Sequence, residues 1–533
     1  MKQSDSRSQR DTTLRQLAAG PLDVLIIGGG IVGAGVARDA AMRGLKTGLI
    51  EQHDFASGTS SRSSRLLHGG LRYLAQGRFG LVREASREKH VLKKIAPHLT
   101  EPLAFLFPTY KGSEWSYWKL RAGVKIYDWL CGTGNLGRSS GMDVPKVLSA
   151  CARTPLQQNG LTGAVRYFDA LTNDSRLVLD TLRSARRHGV LLCNYVRFED
   201  AAREANLWQC RVRDMEAFPV SPFNVAGQNG AGVLQARCVI SATGPWSDQL
   251  AHNTIALRLT KGVHLVIDRH RLPLRDAVVM TEGARILFAI PWGDRVILGT
   301  TDTDYRPGQM PAVGPTFLSA RFEQTGMSAP PRVGMSAPPR QNDPLARVTA
   351  DVEDIRYILD VTNRNFPDAQ LSEKEVLSTW AGLRPLIADS GGGPSDVSRS
   401  HVIRMNEPNW LELGGGKLTT YRVMAEQAVD RVLLCLGMKR IRSRTASELL
   451  VSSDEAQGVS GVLPPPVTEE AVAHYCNQEW AMHLDDIMLR RSSWHHYCTD
   501  RGRVAQQVAL WMAVILNWES TRVNAELERY RVS

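Results

Sequence analysis

The sequence predicts an α/β protein with a Rossmann-like nucleotide-binding domain, a second domain built on an antiparallel sheet, and a small helical C-terminal domain. Three observations support this prediction. An apolar strand near Val24 runs into a glycine-rich turn and a helix, strands rich in β-branched residues start near Arg258, and helical sequence starts at Thr468 after a Pro-rich linker. At 533 residues, 43% of them hydrophobic, the chain is long enough for two or three domains.

The segment Asp23–Met42 has the pattern of a strand, a glycine turn and a helix, and a second strand follows it. In the turn, Gly28, Gly30 and Gly33 form the pattern G-x-G-x-x-G. The first glycine permits a tight turn, the second lets a pyrophosphate approach the backbone, and the third allows close packing of helix on strand. Glu51 ends the second strand, 21 positions after Gly30, where a carboxylate would bind ribose hydroxyls and repel a 2′-phosphate. The pattern therefore predicts NAD or FAD and disfavours NADP.

The sequence after the second strand favours FAD. The run 57–64, SGTSSRSS, is dense in hydroxyl groups and suits a loop along a pyrophosphate and ribityl chain. We expect cofactor contacts in it from Ser57, Thr59, Ser60 and Ser61. Further on, the strand VISATG ends in a glycine turn, and in glutathione-reductase-like flavoproteins such a segment closes back on the FAD. Its expected contacts come from Ala242 and Gly244.

Helices and strands alternate along the rest of the chain. Helical spacing covers Leu81–Ile95 and Asp174–His188, and a strand, LLCNYVRF, starts at Leu191. In the second domain, Arg258–Asp268 and the segments on either side of a hairpin turn at Trp292–Arg295 have the alternation of antiparallel strands.

These patterns divide the chain into a lead-in, a main region, a linker and a C-terminal domain. We expect 1–20 to be disordered and 21–450 to hold the two larger domains. The predicted pieces are 21–100, 160–257 and 376–450 for cofactor binding, 101–159 and 258–375 for the second domain, a Pro-rich loop at 306–347 in which GMSAPPR occurs twice, a linker at 451–466, and a helical domain at 467–533.

Charge and cysteine usage narrow the possible partners. The net charge of +11 suits nucleic acid, anionic lipid or a phosphorylated metabolite, but there is no polybasic run and no nucleic-acid-binding signature. The eight cysteines form no C-x-x-C pair or zinc-ligand spacing, so we expect reduced thiols, an intracellular protein and no metal.

The apolar stretch Val508–Leu516 is far shorter than the roughly 20 residues of a spanning helix, so any membrane contact would be peripheral. A patch with Trp511, Met512 and Trp518 is one docking candidate, although core packing is the expected role of these residues.

Four sequence motifs together resemble those of a known protein family. SGTSSRSSRLL and HGGLRYL (57–74), AGLRPL (381–386) and GGGKLTTYR (414–422) closely resemble FAD-dependent, aerobic-type glycerol-3-phosphate dehydrogenase, over roughly Asp23 to Gly437. The resemblance implies an FAD-binding domain of the glutathione-reductase/D-amino-acid-oxidase type. It also implies oxidation of sn-glycerol 3-phosphate to dihydroxyacetone phosphate, by hydride transfer from C2 to flavin N5, with electrons passed to a quinone. The implied location is cytoplasmic, with peripheral attachment to the inner membrane, and a homodimer is one oligomeric state it allows.

The resemblance also implies site residues. Further cofactor contacts are expected from His68, Gly69, Gly70, Gly416, Lys417, Leu418 and Thr419. Substrate contacts are expected from Arg72, Tyr73, His264, Arg384, Arg399 and Lys417, with His264, Arg384 and Arg72 as the catalytic candidates.

The chemistry of these side chains suits a phosphorylated alcohol. By resemblance, Arg399 and Lys417 lie nearer the phosphate, and Arg72 and Arg384 nearer the hydroxyl-bearing carbons. His264 in KGVH is the leading candidate for the base that accepts the C2 hydroxyl proton, and Arg384 could share the task by stabilising the alkoxide.

Two alternatives stay open at this stage. Amino-acid and sarcosine oxidases share the architecture and oxidise a C–N bond with oxygen, although the set of cations argues against them. The second alternative is a catalytically silent protein of the same flavin-binding fold that senses a metabolite. In YFDALTNDSRL, Asn173 stands where the family usually carries the first of two adjacent acids, a change we expect to affect structure more than chemistry.

Overall fold

Two β-sheets lie at the centre of the structure, and helices pack against them. The computed structural model describes residues 6–69, 77–216, 230–283, 285–306, 343–388 and 401–532.

The first sheet, sheet A, has eight described strands. They are β1 (Leu22–Ile27), β2 (Thr47–Ile50), β7 (Leu191–Cys193), β8 (Val196–Glu204), β9 (Leu207–Asp214), β10 (Ala231–Ser241), β17 (His401–Glu407) and β18 (Trp410–Gly415). The path β18-β10-β1-β2-β7 is parallel, whereas β17 pairs antiparallel with β18, and β8 and β9 form a hairpin on β10. β1 has parallel neighbours on both sides, which explains why its sequence, LDVLII, is an almost continuous buried apolar run.

The predicted strand at Leu191 is in fact two strands. Tyr195 takes a φ of +56°, and the chain turns there from β7 into β8. A positive φ at a tyrosine has no signature in local hydrophobic spacing, so the pattern alone predicted one continuous strand.

Three helices cover the parallel part of sheet A: α2 (Ile31–Met42), α6 (Asp174–Arg187) and α8 (Tyr421–Cys435). Small residues in α2 let its neighbours approach closely, since a Cβ at Gly35 would lie 2.8 Å from the ring of Tyr421. Asn173 is the N-cap of α6, where its side chain accepts a hydrogen bond from the backbone of Arg176. The departure from the family pattern at this position therefore has a structural role.

The second sheet, sheet B, has ten described strands and is antiparallel except where β4 and β12 pair in parallel. The strands are β3 (Leu66–Leu67), β4 (Glu101–Tyr110), β5 (Ser140–Met142), β6 (Leu161–Leu171), β11 (Leu257–Asp268), β12 (Ala277–Glu282), β13 (Arg285–Trp292), β14 (Arg295–Gly299), β15 (Thr303–Tyr305) and β16 (Val376–Ile387). Their order is β15-β11-β14-β13-β12-β4-β6-β3, with β16 added on β11 and β5 on β6. The antiparallel sheet is confirmed, and Trp292 faces Arg295 across the hairpin.

Three strands lie in a different sheet from the one that our boundaries assigned them to, among them the two-residue β3, which pairs with β6 in sheet B. We placed 160–257 and 376–450 with the cofactor-binding pieces, yet β6 pairs with β4 and β16 pairs along its length with β11, both in sheet B. Pairing partners distant in the chain are not visible in local hydrophobic spacing.

Four further helices pack around sheet B and between the two sheets: α3 (Phe79–Ile95), α4 (Tyr117–Cys131), α5 (Val144–Ala150) and α7 (Val352–Asn365).

The C-terminal domain is helical, as predicted. Its elements are α9 (Ser453–Ala456) in the linker, α10 (Glu469–Gln478), a π-helical turn (Asp486–Arg491), α11 (Trp494–Tyr497), α12 (Arg501–Leu516) and α13 (Ser520–Arg531). Met512 is fully buried in the core of this domain, and Trp511 and Trp518 pack against that core. Core packing is therefore their role in the structure.

The prediction of a disordered lead-in was wrong. Helix α1 (Ser6–Ala18) buries Leu14 and Leu17 against sheet A, and Arg10 forms an ion pair of 2.7 Å with Asp214. The segment is mostly polar, so its two leucines at helical spacing were not recognised as the buried face of a helix.

Buried ion pairs join the C-terminal domain to the cofactor-binding domain. Arg176 of α6 donates two parallel hydrogen bonds to Glu479, at 2.6 and 2.8 Å, and both side chains are buried. Asp54 accepts hydrogen bonds from Arg490 and Arg491. Such pairs hold their geometry well because each partner would be an uncompensated buried charge without the other.

We predict that Glu479→Ala destabilises the protein by about 3–5 kcal/mol, because the buried Arg176 guanidinium would lose its two-bond partner and keep only Asp180, which also pairs with Arg183. Urea unfolding monitored by circular dichroism measures this change. The control is Asp200→Ala, which removes the exposed pair with Arg211 and should cost no more than about 1 kcal/mol. Equal losses in the two variants would contradict the prediction.

A buried histidine in the C-terminal domain should make the stability of the protein depend on pH. His483 lies between Glu526 and Glu216, at 2.8 and 2.9 Å. Burial alone would lower its pKa, but the two carboxylates outweigh burial and raise the pKa of His483 to about 9. The folded pKa lies above the unfolded value of about 6.5, so the stabilisation is complete below pH 6.5 and is lost as pH rises through 9.

We therefore expect the wild type to be more stable than His483→Gln at pH 6, by on the order of 3 kcal/mol, and this difference to shrink towards pH 10. Unfolding free energies across that pH range test it. A difference that grows with pH would show that His483 is neutral in the folded protein.

Candidate active site

One continuous cleft, about 2110 Å³ including space open to solvent, has walls from both sheets. Most of the predicted site residues line it: Gly28, Gly30, Glu51, Ser57, Thr59, Ser60, His68, Ala242, Gly244, His264, Arg384, Gly416, Lys417, Leu418 and Thr419. Segments from five distant parts of the sequence thus meet at one cavity.

The glycine turn between β1 and α2 forms one end of the cleft. Gly28 has a φ of +111°, and a Cβ there would lie 2.6 Å from the carbonyl oxygen of Ala242. A Cβ at Gly33 would collide with the Gly28 carbonyl, so this glycine serves the packing of α2 on the turn and does not line the cleft. The turn therefore needs glycine at both positions.

The N-terminus of α2 opens onto this end of the cleft. Gly30 is the N-cap of the helix, and the next residue, Ile31, donates its N–H to the hydroxyl of Ser60 at 3.0 Å. Helix N-termini attract anions because their first N–H groups lack partners within the helix. The neighbouring Ser57 adds a hydroxyl to a surface that suits a pyrophosphate, whereas the Thr59 hydroxyl donates to the Leu383 carbonyl at 2.6 Å.

Glu51 at the end of β2 is held in one orientation. Its carboxylate accepts the backbone N–H of Gly29 at 2.7 Å and that of His53 at 2.9 Å. A carboxylate has about four acceptor positions, so it can still accept hydrogen bonds from hydroxyl groups in the cleft. Together with the glycine turn, this arrangement fits the ADP portion of a dinucleotide.

His264 on β11 lies at the other end of the cleft. Its Nε2 shares a hydrogen bond of 2.8 Å with the Ser64 hydroxyl, its ring stacks on Trp380 with centroids 5.2 Å apart, and its buried Nδ1 has no partner among the described residues. Burial, and then the positive charges of Arg384 and Arg65, lower the pKa of His264 to about 3. The imidazole is therefore neutral at physiological pH.

Arg384 on β16 faces Thr260 across the antiparallel pair of β11 and β16, and its positive charge acts on His264. Its guanidinium donates to the Thr300 hydroxyl at 2.9 Å and to Asp302 at 3.2 Å. It lies over Gly262, where a Cβ would be 2.6 Å from the guanidinium carbon. A glycine at 262 thus makes room for the arginine in the cleft wall.

The GGGKLTTYR block and His68 meet in the cleft. The backbone N–H of His68 donates to the Thr419 hydroxyl at 3.2 Å. Lys417 precedes the turn Leu418–Thr420, and Gly416 before it has a φ of +88°. Lys417 thereby joins Arg384 and His264 as a polar side chain of this cavity.

The remaining predicted residues fall into two groups. Gly70, Arg72, Tyr73 and Arg399 are outside the described residues. Gly69 and Ser61 are described but do not line the cleft: Gly69 packs on Tyr127, and Ser61 lies in the short turn that also contains Thr59.

Sequence reasoning missed three residues that shape the site. Ser64, the hydrogen-bond partner of His264, ends the hydroxyl-rich run that we noted, but no spacing rule singles it out. Trp380 immediately precedes AGLRPL, and Gly262 lies two residues before His264. The available signal was that each residue lies in, or directly beside, one of the motifs quoted above.

A family model described as FAD dependent oxidoreductase matches residues 23–431. An aerobic glycerol-3-phosphate dehydrogenase of Staphylococcus epidermidis is 35% identical over 433 residues, covering 80% of this chain and 69% of the relative. The crystal structure of the glycerol-3-phosphate dehydrogenase from Bacillus halodurans, complexed with FAD, superposes with a TM-score of 0.71 at 25% identity, covering 99% of this chain and 98% of the other. A glycine oxidase from Bacillus cereus has a TM-score of 0.51 at 19% identity, covering 81% and 99%, which shows a shared fold alone.

The cleft geometry and these similarities agree on the cofactor and on the family. The protein is an FAD-dependent oxidoreductase and belongs to the aerobic glycerol-3-phosphate dehydrogenase family.

Proposed function

We propose that this enzyme oxidises sn-glycerol 3-phosphate to dihydroxyacetone phosphate and passes the electrons to a quinone. The observation that carries the proposal is the single cleft that joins a dinucleotide cradle at Gly28 to Arg384, His264 and Lys417. The names of the relatives with 35% and 25% identity support the choice of substrate. FAD, when bound, supplies the hydride acceptor, and in our proposal the hydride goes from C2 of the substrate to flavin N5.

The cations of the cleft would bind the substrate dianion. Arg384 offers a planar guanidinium fork and Lys417 a compact ammonium group, both suited to oxygen anions. In our proposal Lys417 and Arg399 bind the phosphate, while Arg384 and Arg72, with Tyr73, lie nearer the hydroxyl-bearing carbons.

The proton of the C2 hydroxyl needs an acceptor. His264 is buried and neutral, so its ring is in the basic form, and Ser64 fixes the orientation of the ring through Nε2. Arg384 would stabilise negative charge on the C2 oxygen as the proton leaves. A bound phosphate dianion would raise the pKa of His264 and make it a stronger base.

The assay that tests this function measures reduction of a soluble dye by purified, FAD-loaded protein with glycerol 3-phosphate. Formation of dihydroxyacetone phosphate is the expected result. Hydrogen peroxide formed with sarcosine or an amino acid, and no reaction with glycerol 3-phosphate, would instead identify an amine oxidase of the same fold.

We predict that Arg384→Ala lowers kcat by on the order of 10²–10³-fold, because the charge opposite the developing alkoxide is lost. Steady-state dye reduction measures it, and flavin absorbance verifies that FAD is retained. The matched control is Arg258→Ala on the paired strand β11, which removes the exposed ion pair with Asp304 and should leave kcat unchanged. A changed ligand affinity without any wild-type turnover to lose would indicate a metabolite sensor.

We also predict that His264 does not titrate between pH 5 and 8, since its pKa is lowered to about 3. NMR of the substrate-free holoenzyme with isotope-labelled histidine, with His264→Gln used to assign the signal, measures this directly. A His264 signal with a midpoint near the ordinary value of about 6.5 would refute the neutral, buried imidazole.

A quinone acceptor would bring the protein to a bilayer, and we propose peripheral attachment to the cytoplasmic side of the inner membrane. Among the described residues, no helix has the length and apolar character needed to cross a membrane.

A further inference from the structure

A second cavity lies where α1 and the cofactor-binding domain meet the C-terminal domain. Its volume is about 850 Å³ including space open to solvent, which is within the size range of small-molecule sites. Among the described residues, it shares no wall residue with the active-site cleft. We call this separate space, bordered by Arg186, Leu192, Trp480, Met482 and Trp518, the junction cavity.

Much of the wall of the junction cavity is apolar. Leu192, Met482 and Leu516 line it, together with the indole groups of Trp480 and Trp518. Trp518 also packs against the core of the C-terminal domain, so one part of its ring is a core contact and another part is cavity wall. Walls of this composition bind the apolar body of a ligand, while a small number of polar groups fix its orientation.

Two arginines of the wall lie over its two tryptophans. The guanidinium carbon of Arg186 is 5.0 Å from the centre of the Trp480 ring, and that of Arg522 is 5.8 Å from the centre of the Trp518 ring. Contacts of this kind hold a guanidinium group against an aromatic face while its N–H groups can still donate hydrogen bonds. Positive charge is thus held directly beside the apolar wall.

Two of the three arginines that line the cavity are neutralised by acids of the protein. Arg10 forms an ion pair with Asp214 at 2.7 Å, and Arg522 forms one with Glu526 at 2.8 Å. These pairs leave little net charge for a ligand at either position.

The third arginine, Arg186, has a different environment. Its contacts within the described ranges are neutral: the side-chain oxygen of Gln478 at 3.0 Å and the ring of Trp480. The acid of the cavity wall, Glu216, pairs instead with His483 at 2.9 Å. The positive charge of Arg186 is therefore available to an anion in the cavity.

We propose that the junction cavity binds a small organic anion that carries one carboxylate on a flat apolar ring. The guanidinium fork of Arg186 would donate parallel hydrogen bonds to the carboxylate, and the ring would lie against the leucines and the indoles. A dianion such as phosphate fits less well, because the other charges around the cavity are already paired.

The cavity wall also contacts the support of the glycine turn. The Asn194 amide, which lines the cavity, donates to the Trp480 carbonyl at 2.9 Å and to Asp54 at 3.0 Å. The ring of Trp480 meets the edge of Phe55, with centroids 5.3 Å apart, and a Cβ at Gly29 would lie 2.5 Å from the Phe55 ring. A ligand that contacts Trp480 would therefore stabilise the junction between the two domains directly behind the turn.

The test measures the binding of three probes to FAD-loaded protein by isothermal titration calorimetry, without glycerol 3-phosphate. The probe 2-naphthoate has a flat ring and a carboxylate, 2-naphthylmethanol has the ring without the charge, and acetate has the carboxylate without the ring. We expect 2-naphthoate to bind at least about tenfold more tightly than either of the others, since each of them lacks one set of contacts.

Two variants test whether this binding occurs in the junction cavity. Arg186→Gln removes the charge and keeps a polar side chain, and Thr13→Trp fills space on the side of α1. We expect each to weaken the binding of 2-naphthoate at least about tenfold. The matched control is Arg121→Gln, because Arg121 lies 5.4 Å from the ring of Trp118 on α4, outside the cavity, and this variant should bind as the wild type does.

The active-site cleft also contains cations, so its occupancy is followed separately. A carboxylate bound there would perturb the flavin absorbance spectrum and would bind more weakly to Arg384→Ala. For the junction cavity we expect an unchanged spectrum and an unchanged affinity in Arg384→Ala. The outcome does not depend on glycerol 3-phosphate activity, so failure of the proposed function would leave this inference intact.

Thermal unfolding supplies a second measurement. A ligand stabilises the folded state that it binds, so 2-naphthoate should raise the unfolding midpoint of the wild type and of Arg121→Gln but not that of Arg186→Gln. Circular dichroism and flavin absorbance verify that each variant is folded and retains FAD.

Three results would overturn the junction cavity as a site for an aromatic carboxylate. They are a wild type that does not bind 2-naphthoate, binding that is as tight in both cavity variants as in the wild type, and binding that is lost only in Arg384→Ala.

Discussion

The carboxylate of Asp54 joins the cofactor-binding domain to the C-terminal domain. It is fully buried three residues after Glu51, and it accepts hydrogen bonds from Arg490 and Arg491. Burial alone would raise the pKa of Asp54, but the two guanidinium groups outweigh burial and lower the pKa to about 2. The segment that places Glu51 in the cleft is therefore fixed by charges from a different domain.

Charge also organises the opposite end of the cleft, with a different result. His264 is neutral because it is buried near Arg384 and Arg65, which are positive. A second positive charge on the imidazole would be unfavourable there, whereas a dianion would be favourable. The same pair of positive charges thus lowers the pKa of the candidate base and would favour the anionic substrate that we propose.

Local sequence was sufficient for elements whose signals are local. The strand, glycine turn and helix at 23–42 could be predicted because the glycines are needed for steric reasons that involve mostly nearby residues. In the structure, a Cβ at Gly28 or Gly33 would collide with neighbouring backbone atoms. Helix α1 was missed because only Leu14 and Leu17 mark its buried side. The boundaries at β6 and β16 were wrong because strand pairing is decided by distant partners.

The same distinction holds for the site. Residues inside known motifs, such as Glu51 and Arg384, could be named in advance. The roles of Ser64, Trp380 and Gly262 could not, because each depends on a side chain from another strand: Ser64 and Trp380 contact His264, and Gly262 accommodates Arg384. A single sequence carries no signal for such contacts.

The position of Trp380 has a consequence for how this enzyme could be shortened. His264 stacks on this ring at 5.2 Å, His496 of α11 packs against it at 5.0 Å, and the guanidinium of Arg65, which donates to Ser493, lies 5.3 Å from its centre. A chain cut at the Pro-rich linker would leave Trp380 and Arg65 without these C-terminal contacts, directly behind the candidate base. The C-terminal helices therefore contribute contacts behind the candidate base, and removing them would take those contacts away from the wall of the cleft.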